Sequence, residues 1–168
     1  EPEKGRYDWS HADMVVNHAV AQGLTVIGRI DFVPEWARPP ETTPRYLDED
    51  HYADFAEFVH AFVERYGERV PYVIIWNEPN LSFEWGYRPV DPAAYTRLLC
   101  ACYRRAKEAN PAVEVVAAGL APTTAPEGNE WGMDDLIFLQ RMYEAGARGC
   151  FDALAIHAYG WTFAPDDP

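Results

Sequence analysis

Hydrophobic residues are arranged along this chain in two patterns. In the first, apolar residues recur every three or four positions, as on one face of a helix, and the clearest example lies between Asp50 and Gly67. Asp91 and Pro92 open another such segment as a cap and a first-turn proline. Four helices are predicted, over residues 10–22, 51–66, 92–109 and 134–145.

The second pattern is a short apolar run without alternation, which is typical of parallel strands that are buried on both faces. Such runs lie between or after the helices, at residues 24–32, 70–76, 113–118 and 151–157. The order of helix then strand, repeated four times, predicts crossover units and therefore an α/β sheet.

Loops that follow the strands are long and rich in Pro, Trp and Tyr, whereas loops that precede them are short. Parallel α/β proteins place their functional sites at the carboxyl ends of the strands, where these long loops lie. Five of the six tryptophans fall there: Trp36, Trp76, Trp85, Trp131 and Trp161. An exposed tryptophan can stack on a flat apolar partner such as a sugar face, and the alternative is that these rings pin the loops to the core.

The net charge of the chain limits the kinds of molecule that it is expected to bind. The 168 residues carry 27 acidic and 14 basic side chains, a formal charge of −13, which disfavours nucleic acid and anionic membrane surfaces. No run approaches the roughly 20 apolar residues of a membrane span. The three cysteines form neither a metal pattern nor an even disulfide set, so we expect all three to act as small hydrophobic residues, and the cellular location stays open.

Spacing also bears on completeness. The four apolar runs begin about 42 residues apart, so an eight-unit barrel would take on the order of 340 residues, about twice this length. The chain is therefore either a segment of a larger barrel or a small open sheet with two apolar edges. Two copies could also pair through those edges.

One candidate for chemistry stands at the end of the second strand, which runs directly into Asn77, Glu78 and Pro79. A carboxylate at this position lies at the mouth of the sheet, although a turn that satisfies local backbone groups is the alternative. His157 and Tyr159 lie at the end of the last strand, and residues two apart on a strand share a face. The alternative for these two is a core histidine and a packed tyrosine.

Together, Asn77-Glu78-Pro79 and His157-Ala158-Tyr159 resemble the motifs of clan A, the retaining glycoside hydrolases built on the (β/α)8 barrel, especially families five and thirty-nine. Weaker agreement comes from residues 1–9, 23–26 and 34–36, so the resemblance spans essentially the whole chain. It implies an α/β fold that is a partial (β/α)8 TIM barrel, about strands three to six, in which residues 1–168 form a single incomplete domain.

The resemblance also implies roles for individual residues. Glu78 would be the general acid/base, Asn77 would bind the sugar hydroxyl next to the anomeric carbon, and His157 and Tyr159 would line the same site. The nucleophile of this clan ends strand seven, beyond Pro168. Carboxylates in the long loops lack the strand-end support that fixes a nucleophile, namely Glu35, Glu84, Glu127 and Glu130.

Further candidate substrate contacts are Asp31, Trp36 and Trp161, with a loop-capping carboxylate as the alternative for Asp31. The expected function is retaining hydrolysis of a β-linked oligo- or polysaccharide, without metal or cofactor because carboxylates and water suffice. A non-catalytic carbohydrate-binding or scaffold half-barrel is the alternative. The sugar, the linkage and secretion against a cytoplasmic location are left open.

Overall fold

A computed structural model describes residues 1–159 of the chain. Its helices and strands follow one another in the predicted order. They are α1 (Ser10–Ala21), β1 (Ile27–Ile30), α2 (Tyr52–Tyr66), β2 (Tyr72–Ile75), α3 (Pro92–Ala109), β3 (Glu114–Leu120), α4 (Asp135–Glu144) and β4 (Ala153–Ile156). Single turns of 3-10 helix lie in the loops at Glu35–Ala37, Glu49–His51 and Phe83–Trp85.

The four strands form one parallel sheet in the order β1-β2-β3-β4. Within residues 1–159, each strand pairs with the next one in sequence, and no strand is inserted out of order. A doubly wound sheet reverses its strand order at a switch point, whereas a (β/α)8 barrel adds strands consecutively. The observed order is therefore that of consecutive units of a (β/α)8 barrel, as the sequence predicted.

Helices α2 and α3 pack against each other and cover the sheet. Their apolar stripes are almost completely buried, including Val59 and Val63 of α2 and Leu98 and Leu99 of α3. Asp91 caps α3 by accepting a hydrogen bond from the backbone N–H of Ala94 at 2.9 Å, which satisfies one of the free donors at the helix start. The core thus lies between the sheet and the helix layer, and the long loops lie at the carboxyl ends of the strands.

The tryptophans divide between the core and the loops. Trp76 and Trp85 are completely buried and meet edge to face at 5.5 Å, so for these two rings the core alternative is correct. The indole N–H of Trp76 donates to the carbonyl of Glu84 at 2.8 Å. Trp131 is exposed, and Trp161 lies outside the described residues.

The cysteines differ from expectation. Cys100 and Cys150 form a disulfide between α3 and the turn before β4, whereas Cys102 is buried and free. The prediction of three small hydrophobic residues is therefore wrong for two of them. The bonded pair is 50 residues apart, and only the packing of α3 beside the start of β4 brings the two together. Burial raises the pKa of the Cys102 thiol, which keeps it in the unreactive form.

The outer strands of the described sheet carry exposed apolar side chains, namely Ile27 on β1 and Ile156 on β4. Phe32, just after β1, is exposed as well. Within residues 1–159, no helix combines the length and the apolar character that crossing a bilayer requires.

Candidate active site

The segment after β2 has an unusual backbone. Trp76 and Glu78 adopt φ values of 73° and 40°, in the left-handed region that costs a residue with a side chain about 1–3 kcal/mol. Backbone hydrogen bonds to the two neighbouring strands hold this conformation. The N–H of Trp76 donates to the carbonyl of Ile30 on β1 at 2.8 Å, and the N–H of Glu78 donates to the carbonyl of Gly119 on β3 at 3.1 Å. Strain of this kind, fixed by the surrounding sheet, is typical of a functional position.

Glu78 contacts His157 at the carboxyl end of the sheet. The Oε1 atom of Glu78 lies 2.7 Å from Nδ1 of His157, and both side chains are largely buried. At this distance one proton is shared, because either the ring N–H donates to the carboxylate or the carboxyl O–H donates to the neutral ring. The contact occupies Oε1 and leaves Oε2 as the oxygen that can exchange a proton with a bound molecule.

Asn77 has a defined amide orientation. Its side chain is only 7% exposed, and its Oδ1 atom accepts a hydrogen bond from Nη1 of Arg29 at 2.8 Å. A guanidinium carries only donors, so the atom that faces it must be the amide oxygen. The Nδ2 group of Asn77 therefore remains as a donor for a bound hydroxyl.

Arg29 is held in turn by a chain of alternating charges. Asp31 lies between two guanidiniums, with its Oδ2 atom 2.9 Å from Nε of Arg29 and 2.8 Å from Nη1 of Arg45. The Nε atom of Arg45 is 3.1 Å from Oε2 of Glu84. These contacts are primarily ionic, because neither Asp31 Oδ2 nor Glu84 Oε2 accepts a hydrogen bond of good geometry among the described residues. We call these four residues the ionic chain.

This placement bears on the role expected for Asp31. Its side chain is 6% exposed and enclosed by Arg29 and Arg45, so its carboxylate orients Arg29 rather than standing open to solvent. Asp31 therefore contacts Arg29, which in turn contacts Asn77. A direct contact of Asp31 with substrate stays a prediction.

Asn80 is a structural residue of the same loop. It is completely buried and makes three hydrogen bonds to backbone, donating to Ala121 and Met133 and accepting from the N–H of Ala121, all at 2.9 Å. These bonds tie the loop after β2 to the loop after β3. Asparagine suits this position because one amide both donates and accepts.

The remaining predicted residues lie in two places. Tyr159 is half exposed, and its ring centroid is 5.4 Å from that of His157, which puts it beside the Glu78 contact. Trp36 packs against His51 at 6.0 Å and lines a separate cavity with Phe32. The residues around that cavity do not include Asn77, Glu78 or His157, and no described contact joins Trp36 to them.

The structure therefore brings four of the predicted residues together, namely Asn77, Glu78, His157 and Tyr159, and their role as a site stays a prediction. Arg29, which contacts Asn77, and Arg45 were not among the residues predicted from the sequence. An arginine within an apolar strand, followed two residues later by an aspartate, was the available signal. No set of three or more His, Cys, Asp or Glu side chains within residues 1–159 is arranged to hold a metal ion.

Comparison with known proteins identifies the fold. No protein-family model matches the sequence, and no curated protein matches it. Among solved structures, a family 39 glycoside hydrolase from the gut symbiont Bacteroides cellulosilyticus WH2 is similar over 94% of this chain and 30% of its own, at 25% identity and a TM-score of 0.70. A family 39 β-xylosidase from Caulobacter crescentus matches over 95% of this chain and 36% of its own, at 23% identity and a TM-score of 0.66.

A psychrophilic family 10 endo-β-1,4-xylanase is similar over 95% of this chain and 52% of its own, at 19% identity and a TM-score of 0.63. The chain thus spans between about a third and a half of the length of these structures. The chain has the fold of the central part of a clan A glycoside hydrolase barrel.

Proposed function

We propose that this chain carries the acid/base part of a retaining glycosidase site for a β-linked saccharide, with Glu78 as the general acid/base. The observation that carries the proposal is the position of Glu78, on a strained backbone at the carboxyl end of β2, with one carboxyl oxygen 2.7 Å from His157. The β-xylosidase and xylanase among the similar structures make a β-xyloside the first substrate to test.

In the first step, Oε2 of Glu78 donates its proton to the glycosidic oxygen while the bond to the anomeric carbon breaks. A second carboxylate attacks that carbon and forms a covalent glycosyl intermediate. In the second step, Glu78 takes a proton from water, the water oxygen bonds to the anomeric carbon, and the second carboxylate leaves. His157 fixes which oxygen of Glu78 faces the substrate, because it occupies the other one.

The second carboxylate must lie about 5 to 5.5 Å from Glu78 in a retaining enzyme. We place it on a later strand of the barrel, as the motif resemblance implies. Two loop carboxylates of this chain are already engaged, since Glu84 pairs with Arg45 and Glu127 pairs with Arg141 at 2.7 Å. The Arg141 guanidinium lowers the pKa of Glu127, which suits an ion pair rather than proton transfer.

Asn77 would bind the hydroxyl next to the anomeric carbon. Its oxygen is taken by Arg29, so the amide N–H group would donate to the hydroxyl oxygen. A hydrogen bond that strengthens as charge develops on the sugar ring would lower the barrier rather than only tighten binding.

The test compares Glu78→Gln with the unaltered intact protein on aryl β-xylosides that have good and poor leaving groups. Glutamine cannot donate the proton, so the first step should slow most with the poor leaving group, by about 10²–10⁴-fold. Glu130→Gln is the matched control, because Glu130 is an exposed carboxylate in a loop on the same side of the sheet. Equal rates for Glu78→Gln and wild type would remove Glu78 from this role, and saccharide binding without turnover would favour the carbohydrate-binding alternative.

A further inference from the structure

Gly119 touches both partners of the Glu78–His157 contact. It lies near the end of β3, the strand between β2 and β4, and its carbonyl accepts the backbone N–H of Glu78 at 3.1 Å. On its other side is the ring of His157. A Cβ atom built on Gly119 would lie 2.5 Å from both Cδ2 and Nε2 of that ring, closer than real Cβ contacts come. The ring occupies the space that any side chain at position 119 would need.

We propose that Gly119 is a positioning residue, which admits the His157 ring beside Glu78 and so keeps the acid/base carboxyl in place. This inference rests on the proposed role of Glu78. The requirement for glycine is steric rather than conformational, because Gly119 does not have a positive φ.

A β-bulge places Gly119 at this point. Ala117 pairs with Leu154 and Leu120 pairs with Ile156, so β3 contains one residue more than β4 over this stretch. Bulges turn the following residues relative to the neighbouring strand and are frequent beside active sites. Here the bulge lies one strand away from Glu78 and directly before the point where His157 leaves β4.

A buried tyrosine supports the bulge. The hydroxyl of Tyr95 accepts a hydrogen bond from the N–H of Ala118 at 2.7 Å and donates to the carbonyl of Ile75 at 2.9 Å. Tyr95 thereby satisfies a backbone group within the bulge and joins it to the last residue of β2. Three features therefore act in sequence at this point. Tyr95 hydrogen-bonds to the bulge, the bulge positions Gly119 beside β4, and Gly119 leaves the space that the His157 ring occupies.

The first test follows the His157 ring itself. With selective ¹⁵N labelling of histidine in the intact protein, the ring shifts report which nitrogen carries the proton when the ring is neutral. We expect Gly119→Ala to change the wild-type signature to the one seen in Glu78→Leu, which removes the hydrogen-bond partner. His157→Ala assigns the signal, because its resonances disappear.

The matched control is Gly28→Ala on β1. An added Cβ there meets Phe62 at 3.0 Å and Val70 at 3.2 Å, so it crowds the core without touching the site. We expect Gly28→Ala to keep the wild-type His157 signature. A folded Gly119→Ala protein that also keeps this signature would overturn the proposal.

A second measurement covers the case in which Gly119→Ala folds poorly. Because the clash is with His157, the loss of Tm caused by Gly119→Ala should largely disappear when His157 is alanine. An equal loss of Tm in both backgrounds would show that position 119 does not act through His157. Neither readout needs turnover, so a failure here is distinct from a Glu78→Gln protein that hydrolyses normally.

Discussion

Removing the disulfide should have a large effect on stability. The bond joins the middle of α3 to the turn before β4 and closes a loop of 50 residues that contains β3 and α4. In the chain-entropy model, a cross-link over a loop of this length removes about 14 cal/mol/K from the unfolded state, or about 4 kcal/mol at 25 °C. For a chain of this size, each kcal/mol shifts Tm by about 2–4 °C, so we expect a loss of about 8–16 °C.

The assay is thermal unfolding followed by circular dichroism, with and without dithiothreitol, on wild type and on the Cys100→Ala/Cys150→Ala double variant. Reductant should lower Tm of the wild type to about that of the double variant and leave the double variant unchanged. A non-reducing digest should also contain a peptide pair linked through Cys100 and Cys150. A wild-type Tm that is unchanged in reductant would show that the bond adds no stability, and the absence of the linked peptides would show that the bond does not form.

Three further predictions concern single residues. Asp13 accepts hydrogen bonds from Arg65 and Tyr66, which lower its pKa to about 2. The contribution of Asp13 to the free energy of unfolding is therefore present above pH 4 and is lost as the pH falls towards 2. Acid titration should reduce stability less in Asp13→Asn than in wild type. Asn80→Ala leaves three buried backbone groups without partners and should lower the free energy of urea unfolding by about 2–5 kcal/mol. The control Asn129→Ala removes one exposed hydrogen bond and should lower it by less than about 1 kcal/mol. Arg29→Met should lower kcat/KM for a xyloside but not for its 2-deoxy analogue, and equal losses on both substrates would contradict an effect through the Asn77 amide.

The sequence predicted the order of elements because the helices show a hydrophobic period of three to four residues and the strands are short, continuous apolar runs. It also predicted that Glu78 and His157 lie at one end of the sheet, since both follow strand runs. What it could not indicate was their direct contact at 2.7 Å, which depends on a strained backbone at Glu78 and on the bulge in β3. Neither feature has a local pattern.

Long-range pairs account for the other differences. The disulfide partners and the members of the ionic chain come from segments that are far apart in sequence, and only the packed fold makes them neighbours. For Trp76 and Trp85 the sequence left two alternatives open, stacking on a ligand and attachment to the core, and the structure buries both rings. Local sequence could not decide between them because tertiary packing determines which rings at the strand ends are buried.

The ionic chain limits how this protein can diversify. Loops at strand ends usually tolerate exchange, and new specificities arise when one loop is replaced by another. Here the loop after β1 supplies Arg45, which links Asp31 to Glu84 in the loop after β2, and Asp31 in turn orients Arg29 beside Asn77. A grafted loop without an arginine at this point would leave two buried carboxylates short of a cation. Exchange of either loop alone would therefore break the ionic link between them, so the two loops behave as one unit when this end of the sheet is altered.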